Sequence, residues 1–151
     1  MSKVSTIHEN MLTRIGAILT SHVRLSNPYK IEENPEILLK QGYGIAIGSA
    51  NKIRGDLNNY RRFEREFTGS ITRKFAAKEN DGASKATTEK QILEDAFLVA
   101  KDFELDTTLN ETAITTDFVS DGGIEYVARE KDNFLMVRAT FAVQYFENLN
   151  A

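Results

Sequence analysis

Near the start of the chain Ile7, Met11, Ile15, Ile18, Leu19 and Val23 recur at helical spacing, and Thr6 with Glu9 has the form of a capping box. This pattern predicts a helix that stops before Asn27-Pro28. A short helical turn is expected next, with Asn34 as its cap, Pro35 at its first position and Gly42 as a left-handed stop after Ile37-Leu38-Leu39. The period then changes from helical to two. Tyr43, Ile45 and Ile47 alternate with Gly44, Ala46 and Gly48, which describes a strand with one face narrow enough to be covered closely.

Residues 49–60 are polar and include Gly55, Asp56, Asn58 and Asn59, so they are expected to form a loop. A long strand follows from about Arg61 to Phe75. Phe63, Phe67, Ile71 and Phe75 share one side of it with Arg65, Gly69 and Arg73 between them, an imperfect apolar face that suits a strand projecting beyond the core. Residues 76–88 are small and polar without periodicity and read as a flexible loop. A second helix is expected from about Thr88 to Glu104, with Ile92, Leu93, Ala96, Val99, Ala100 and Phe103 on one stripe and Thr88 with Gln91 as its capping box.

Three strands are expected to complete the chain: about 112–119, 124–129 after the turn Asp121-Gly122-Gly123, and 134–146 after Lys131-Asp132-Asn133. In the last, Leu135, Val137, Ala139, Phe141, Val143 and Tyr145 form an unbroken apolar face. Strands clustered after a helix favour an α+β domain, with a mainly antiparallel sheet of about four to five strands packed against an N-terminal helix and a second long helix. The 151 residues are read as a single domain, with flexible loops at about 49–60 and 76–88.

Charge adds a second layer. The net value of -3 disfavours a dedicated nucleic-acid binder, but residues 52–78 hold eight Lys/Arg against three acids and residues 79–132 hold five against fourteen. These patches are either ordinary solvated faces or a surface that complements itself between subunits. The chain has no cysteine, so disulfides and thiolate metal sites are excluded. Without an apolar leader or an apolar run of membrane-spanning length, the protein is expected to be soluble and unexported, with no membrane partner.

Catalytic chemistry is hard to place. His8 and His22 are the two histidines, and on one continuous helix they would stand roughly 21 Å apart, so each reads as a helix-surface or interface residue. No nucleophile elbow is present. Gly42, Gly44 and Gly48 are spaced one residue too far for a dinucleotide fingerprint and lie within a strand. Asp95 and Asp102 flank the apolar stripe of the second helix as a solvated edge, and Asp121 with Glu125 lacks the further carboxylates and lysine of a magnesium nuclease. The chain is therefore expected to be no enzyme, with no catalytic, cofactor-binding or metal-binding residues. In the run Tyr60-Arg61-Arg62-Phe63-Glu64-Arg65, alternation splits the basic residues between two faces, which favours subunit packing over a phosphate track. The candidate interface residues are Arg61, Arg62, Phe63, Arg65, Phe67, Ile71, Arg73 and Phe75, with Phe67, Ile71 and Phe75 expected to supply the apolar contact area.

The order of parts resembles that of the tail-terminator family of long-tailed bacteriophages, also called tail-completion or tail-to-head joining proteins. It is carried by the N-terminal helix with Asn27-Pro28-Tyr29, the GYGIAIG and YRRFEREFTGSITRKF strands, the EKQILEDAFLVAKDF helix, the DGGIEYV turn and the closing FLMVRATFAVQYFENL strand. The loops at 49–60 and 76–88 have no counterpart in it. The resemblance implies a six-membered ring at the head-proximal end of the tail tube that stops tube polymerisation and docks onto the head connector. Its implied partners are copies of itself, the major tail tube protein and a head-completion or connector protein, with DNA only a passing, non-specific occupant of the lumen. The implied location is the tail-head junction of the virion, reached by assembly in the host cytoplasm. A head-completion or neck protein on the portal side is an alternative of the same class, and a nucleic-acid-binding protein one of a different class.

Overall fold

The alternating apolar face at the C-terminal end of the chain becomes the strand around which the other elements are arranged. A computed structural model describes residues 2–30, 41–54, 60–75, 82–129 and 132–148. The elements in chain order are α1 (Lys3–Ile18), β1 (Val23–Arg24), β2 (Gly42–Arg54), β3 (Tyr60–Phe75), α2 (Gly82–Leu105), β4 (Thr115–Arg129) and β5 (Asp132–Asn148). They form an α+β fold with one five-stranded sheet in the order β1-β2-β3-β5-β4. All neighbours are antiparallel except β1, which pairs parallel to β2 through Val23 and Arg24.

The registers explain which side chains meet. Phe67 pairs with Phe141, Ile71 with Val137 and Phe63 with Tyr145, so the odd-numbered residues of β3 and β5 share one face. Both helices lie on that face. Ile7, Met11 and Ile15 from α1 and Ile92, Val99 and Phe103 from α2 pack with Leu135, Val137, Phe141 and Val143 into the main core. Phe103 and Phe118 each meet the Phe141 ring edge-on, at 4.9 and 5.9 Å between centroids, a geometry the ring quadrupoles favour. On the opposite face Leu25, Phe134 and Met136 make a smaller cluster with Val127. Gly42 and Gly44 allow this approach: a Cβ on Gly42 would stand 2.5 Å from Leu25 Cδ2, and one on Gly44 would stand 3.2 Å from Pro28 Cβ.

Several boundaries differ from the expectation, each for a local reason. Helix α1 is capped by the Ser2 side chain accepting from Ser5 N–H, not by Thr6, and it ends at Ile18. Val23 therefore belongs to β1, although its spacing continues the helical stripe. The polar residues 49–54 are strand rather than loop, because ladder pairing to Glu64 and Phe63 organises Asn51 and Lys52. Helix α2 begins at Gly82, so 82–88 is helical where a loop was expected, and Thr88 lies inside the helix rather than at its cap. Asp121-Gly122-Gly123 does not turn the chain back. It forms a bulge within the continuous strand β4, with register shifts at Phe118/Ser120 and Asp121/Ile124 and with Gly123 at φ 78°. The expected helical turn over 35–41 and the loop positions 55–59 and 76–81 fall outside the described residues, apart from Gln41.

After α2 the chain runs through three consecutive left-handed residues, Leu109, Asn110 and Glu111, at φ 49°, 59° and 66°. Such a run costs free energy at each non-glycine position and needs support from its surroundings. Asp106 supplies it. Its carboxylate accepts from Asn110 N–H at 3.1 Å, from the Thr108 hydroxyl at 2.9 Å and from Arg14 Nη1 at 2.8 Å, while Leu109 is buried in the core. No helix among the described residues is long and apolar enough to cross a membrane.

Phe141→Ala, which removes the ring shared by α2, β4 and β5, is expected to lower stability by about 3 to 5 kcal/mol. Urea unfolding checks this. The midpoint should fall with an unchanged slope, and a loss below about 1 kcal/mol would refute the central role given to this side chain.

Candidate interaction surface

Internal contacts hold most of the predicted interface residues. Phe67, Ile71 and Phe75 are buried in the monomer's own core, so they offer no apolar contact area to a neighbour. The reason is the position of β3, which does not project: β2 and β5 pair with its two edges and the helices cover its apolar face. Phe63 stacks on Tyr145 at 5.9 Å between ring centroids. Arg65 reaches sideways, donating from Nε to the Tyr145 hydroxyl at 3.1 Å and from Nη1 to the Gly48 carbonyl at 2.7 Å. Arg61 donates from Nη1 to the Tyr60 carbonyl, and the buried Nε of Arg62 has no hydrogen-bond partner among the described residues.

Arg73 turns under α2 and grips Asp95 through two bonds, Nε to Oδ2 at 2.5 Å and Nη2 to Oδ1 at 3.1 Å. Asp95 was expected on a solvated helix edge, yet it is 4% exposed. His22, expected at a helix surface or an interface, is buried within the subunit, and its Nε2 lies 3.5 Å from the same Oδ2. At that distance and orientation Nε2 makes no full hydrogen bond, so the ring is a close polar neighbour of Asp95 rather than a second clamp on it. Burial pushes the Asp95 carboxyl upward, but His22 and the Arg73 guanidinium outweigh that and hold it below its ordinary value. A further charged link joins the helices. Arg14 donates from Nε to Asp102 at 2.7 Å and from Nη1 to Asp106, so part of the acidic stretch is used inside the subunit.

His8 donates from Nε2 to the Ile45 carbonyl at 2.9 Å, docking α1 on β2, and it stands apart from the His22 cluster. Among the described residues no group of three His, Asp or Glu side chains is placed to hold a metal ion. Asp121 lies at the β4 bulge and accepts from Gly123 N–H at 2.9 Å.

The surface that remains is at the other end of the sheet. A groove of about 450 Å³ opens between α2 and β4, lined by Leu93, Ala96, Phe97, Ala100 and Phe118, with Lys101, Glu104 and Asp121 around them. Of its lining residues, Phe97 is 58% exposed, Leu93 46% and Phe118 37%. Contiguous apolar exposure of this kind marks interaction sites on folded proteins. Beside the groove, the outer edge of β4 has no strand partner among the described residues. Sequence reasoning does not reveal this surface, because Leu93 and Ala100 share the spacing of the core stripe and Asp121-Gly122-Gly123 has the composition of a turn that would shorten the edge. The exposed phenylalanines were the available signal. Phe97 departs from the stripe of α2, and Phe118 falls in a mixed polar segment.

No protein-family model and no curated protein matches this chain.

Asp95→Asn is expected to cost about 3 kcal/mol, the lower end for breaking a buried ion pair, since Arg73 keeps some contact with water. Because the folded-state pKa of Asp95 is depressed, its contribution is complete above the ordinary carboxylate value near 3.9 and is lost as pH falls through the lower folded value. Urea titrations of parent and variant from pH 7 to pH 2 check this. Their stabilities should converge toward the acid end, and a gap independent of pH would show that Asp95 acts through packing alone.

Proposed function

We propose that this chain is a non-enzymatic structural subunit that assembles head-to-tail into a ring, closes the head-proximal end of a long phage tail tube and joins it to the head. The observation that carries this reading is a sheet with two unlike edges that are open among the described residues. One is the outer edge of β4 beside the apolar groove, and the other is β2 beyond its short pairing with β1. A surface made of two different patches forms heterologous contacts, and these close into a ring when the rotation between subunits divides a full turn.

The tail-terminator assignment and the count of six rest on the resemblance in the order of parts; the α+β class is compatible with it, while the DGGIEYV segment is a strand bulge in place of a turn. In this reading the major tail tube protein binds one side of the ring and a head connector the other. DNA passes through the lumen without specific contacts. The side chains found inside the subunit serve its rigidity: Arg73 with Asp95 ties α2 to β3, and Arg14 with Asp102 and Asp106 ties the helices together. A ring subunit gains from such internal links, because its neighbours must meet a surface of fixed shape.

Native mass spectrometry of concentrated protein and electron microscopy of tails carrying a labelled copy check the proposal. A closed ring, with label at the tail-head junction, is expected. A strict monomer in both settings, or a dimer joined two-fold through identical patches, would overturn it.

A further inference from the structure

The registers fix which parts of the two open edges stand at the same height. Ile47 pairs with Phe67, Phe67 with Phe141, and Phe141 with Phe118. In the same way Ala50 leads through Arg65 and Val143 to Thr116, and Asn51 leads through Glu64 and Gln144 to Thr115. A second copy placed beside the first in the same orientation therefore brings residues 47–51 of its β2 level with 115–118 of β4. This is the regular part of β4, before the bulge at 118–124. It is also a part of β2 beyond the pairing with β1, which is confined to Gly42 and Tyr43.

Strand direction agrees. The ladders β2·β3, β3·β5 and β5·β4 are all antiparallel, so β2 runs opposite to β4. Copies held in one orientation thus meet through an antiparallel pair, the more stable of the two ladder types. We propose that the outer edge of β4 and the groove beneath α2 receive the β2 strand of a second copy, extending the sheet from subunit to subunit. This rests on the ring reading and names the contact that would build the ring.

Two features select that occupant. Ile47 and Ala50 lie on the helix face of β2, in the rows of Phe118 and Thr116, so they arrive next to the groove lined by Phe97 and Phe118. Lys52, exposed on the same face, arrives one row beyond Thr116, on the side of the sheet where α2 carries the exposed Glu104, although Lys101 on the groove wall opposes it. The described part of β4 that stays exposed carries Asp117, Asp121 and Glu125. Two copies of β4 meeting each other would set acid against acid, which costs free energy directly across a ladder. Charge of one sign on an open edge thus discourages self-pairing while accepting a basic strand.

Because the chain contains no cysteine, disulfide trapping reads this contact cleanly. The probe is an equal mixture of Asn51→Cys and Thr115→Cys proteins, oxidised at high protein concentration, with a second mixture of Ser49→Cys and Asp117→Cys covering the neighbouring row. Within one chain β2 and β4 are three strand spacings apart, about 14 Å. A disulfide requires Cα atoms within about 7 Å, so only contacts between chains are trapped. The expected product links 51 to 115 or 49 to 117, and Lys52→Glu slows its formation about tenfold at low salt. Links of 115 to 115 or 117 to 117, or no link in particles that native mass spectrometry shows to be oligomers, would overturn the proposal while leaving the ring reading in place. The expected link in an open chain that never closes would support the proposal and overturn the ring. Absence of any link and any oligomer, in solution and in tails, would remove both. A linking rate unchanged by Lys52→Glu, in protein of unaltered circular dichroism, would overturn the steering role given to Lys52 in this contact.

Discussion

Everything in this subunit is arranged around β5, whose two edges are paired along nearly their whole lengths. β3 runs beside it from Phe75↔Asn133 to Tyr60↔Asn148, and β4 lines the other side from Arg129↔Asp132 to Thr115↔Gln144. Its helix-facing residues Leu135, Val137, Ala139, Phe141, Val143 and Tyr145 are all buried. A strand satisfied on both edges and apolar on one face has a single way to sit, since a shift of one residue would turn its whole apolar set outward. The positions of both helices follow from that face.

Charged side chains then fix the helices at chosen points. Removing two ions from water is costly, so a buried pair contributes less to net stability than to the choice of one arrangement. Arg73 and Asp95 mark where α2 crosses β3, and the nearby His22 brings the end of the α1 connection to the same point. Arg14, Asp102 and Asp106 do the same between the helices and extend to the left-handed turn at Leu109–Glu111, where Asp106 accepts from Asn110 and Thr108. The basic and acidic stretches of the chain thus spend part of their charge inside the subunit. The exposed remainder includes Lys52 near one edge of the sheet and Asp117, Asp121 and Glu125 along the other.

That separation gives the sheet a polarity across its width. Its two edges differ in strand direction, charge and apolar content, because α2 reaches over β4 while, among the described residues, β1 pairs with just the first residues of β2. A molecule with matching edges would favour two-fold dimers. One with unlike edges favours head-to-tail association, which connects the fold to the proposed ring.

The amino-acid sequence by itself determined the periodicity: the helical spacing of Ile7, Met11 and Ile15, the alternation from Leu135 to Tyr145, and hence the α+β class with a mainly antiparallel sheet. These are local properties, since a side chain's face depends only on its spacing within its own element. What only the tertiary structure decided was which elements are neighbours. Phe67, Ile71 and Phe75 have the same alternation on an edge strand as on a central one, and pairing to β2 and β5 made β3 central. Asp95 sits on α2 as a solvated residue would, and only the crossing over β3 brought Arg73 to it. Asp121-Gly122-Gly123 has the composition of a hairpin turn, but the continuous partner β5 held the strand straight and made it a bulge. Edge, pair and bulge are relations between distant segments, fixed by long-range pairing and absent from any single window of sequence.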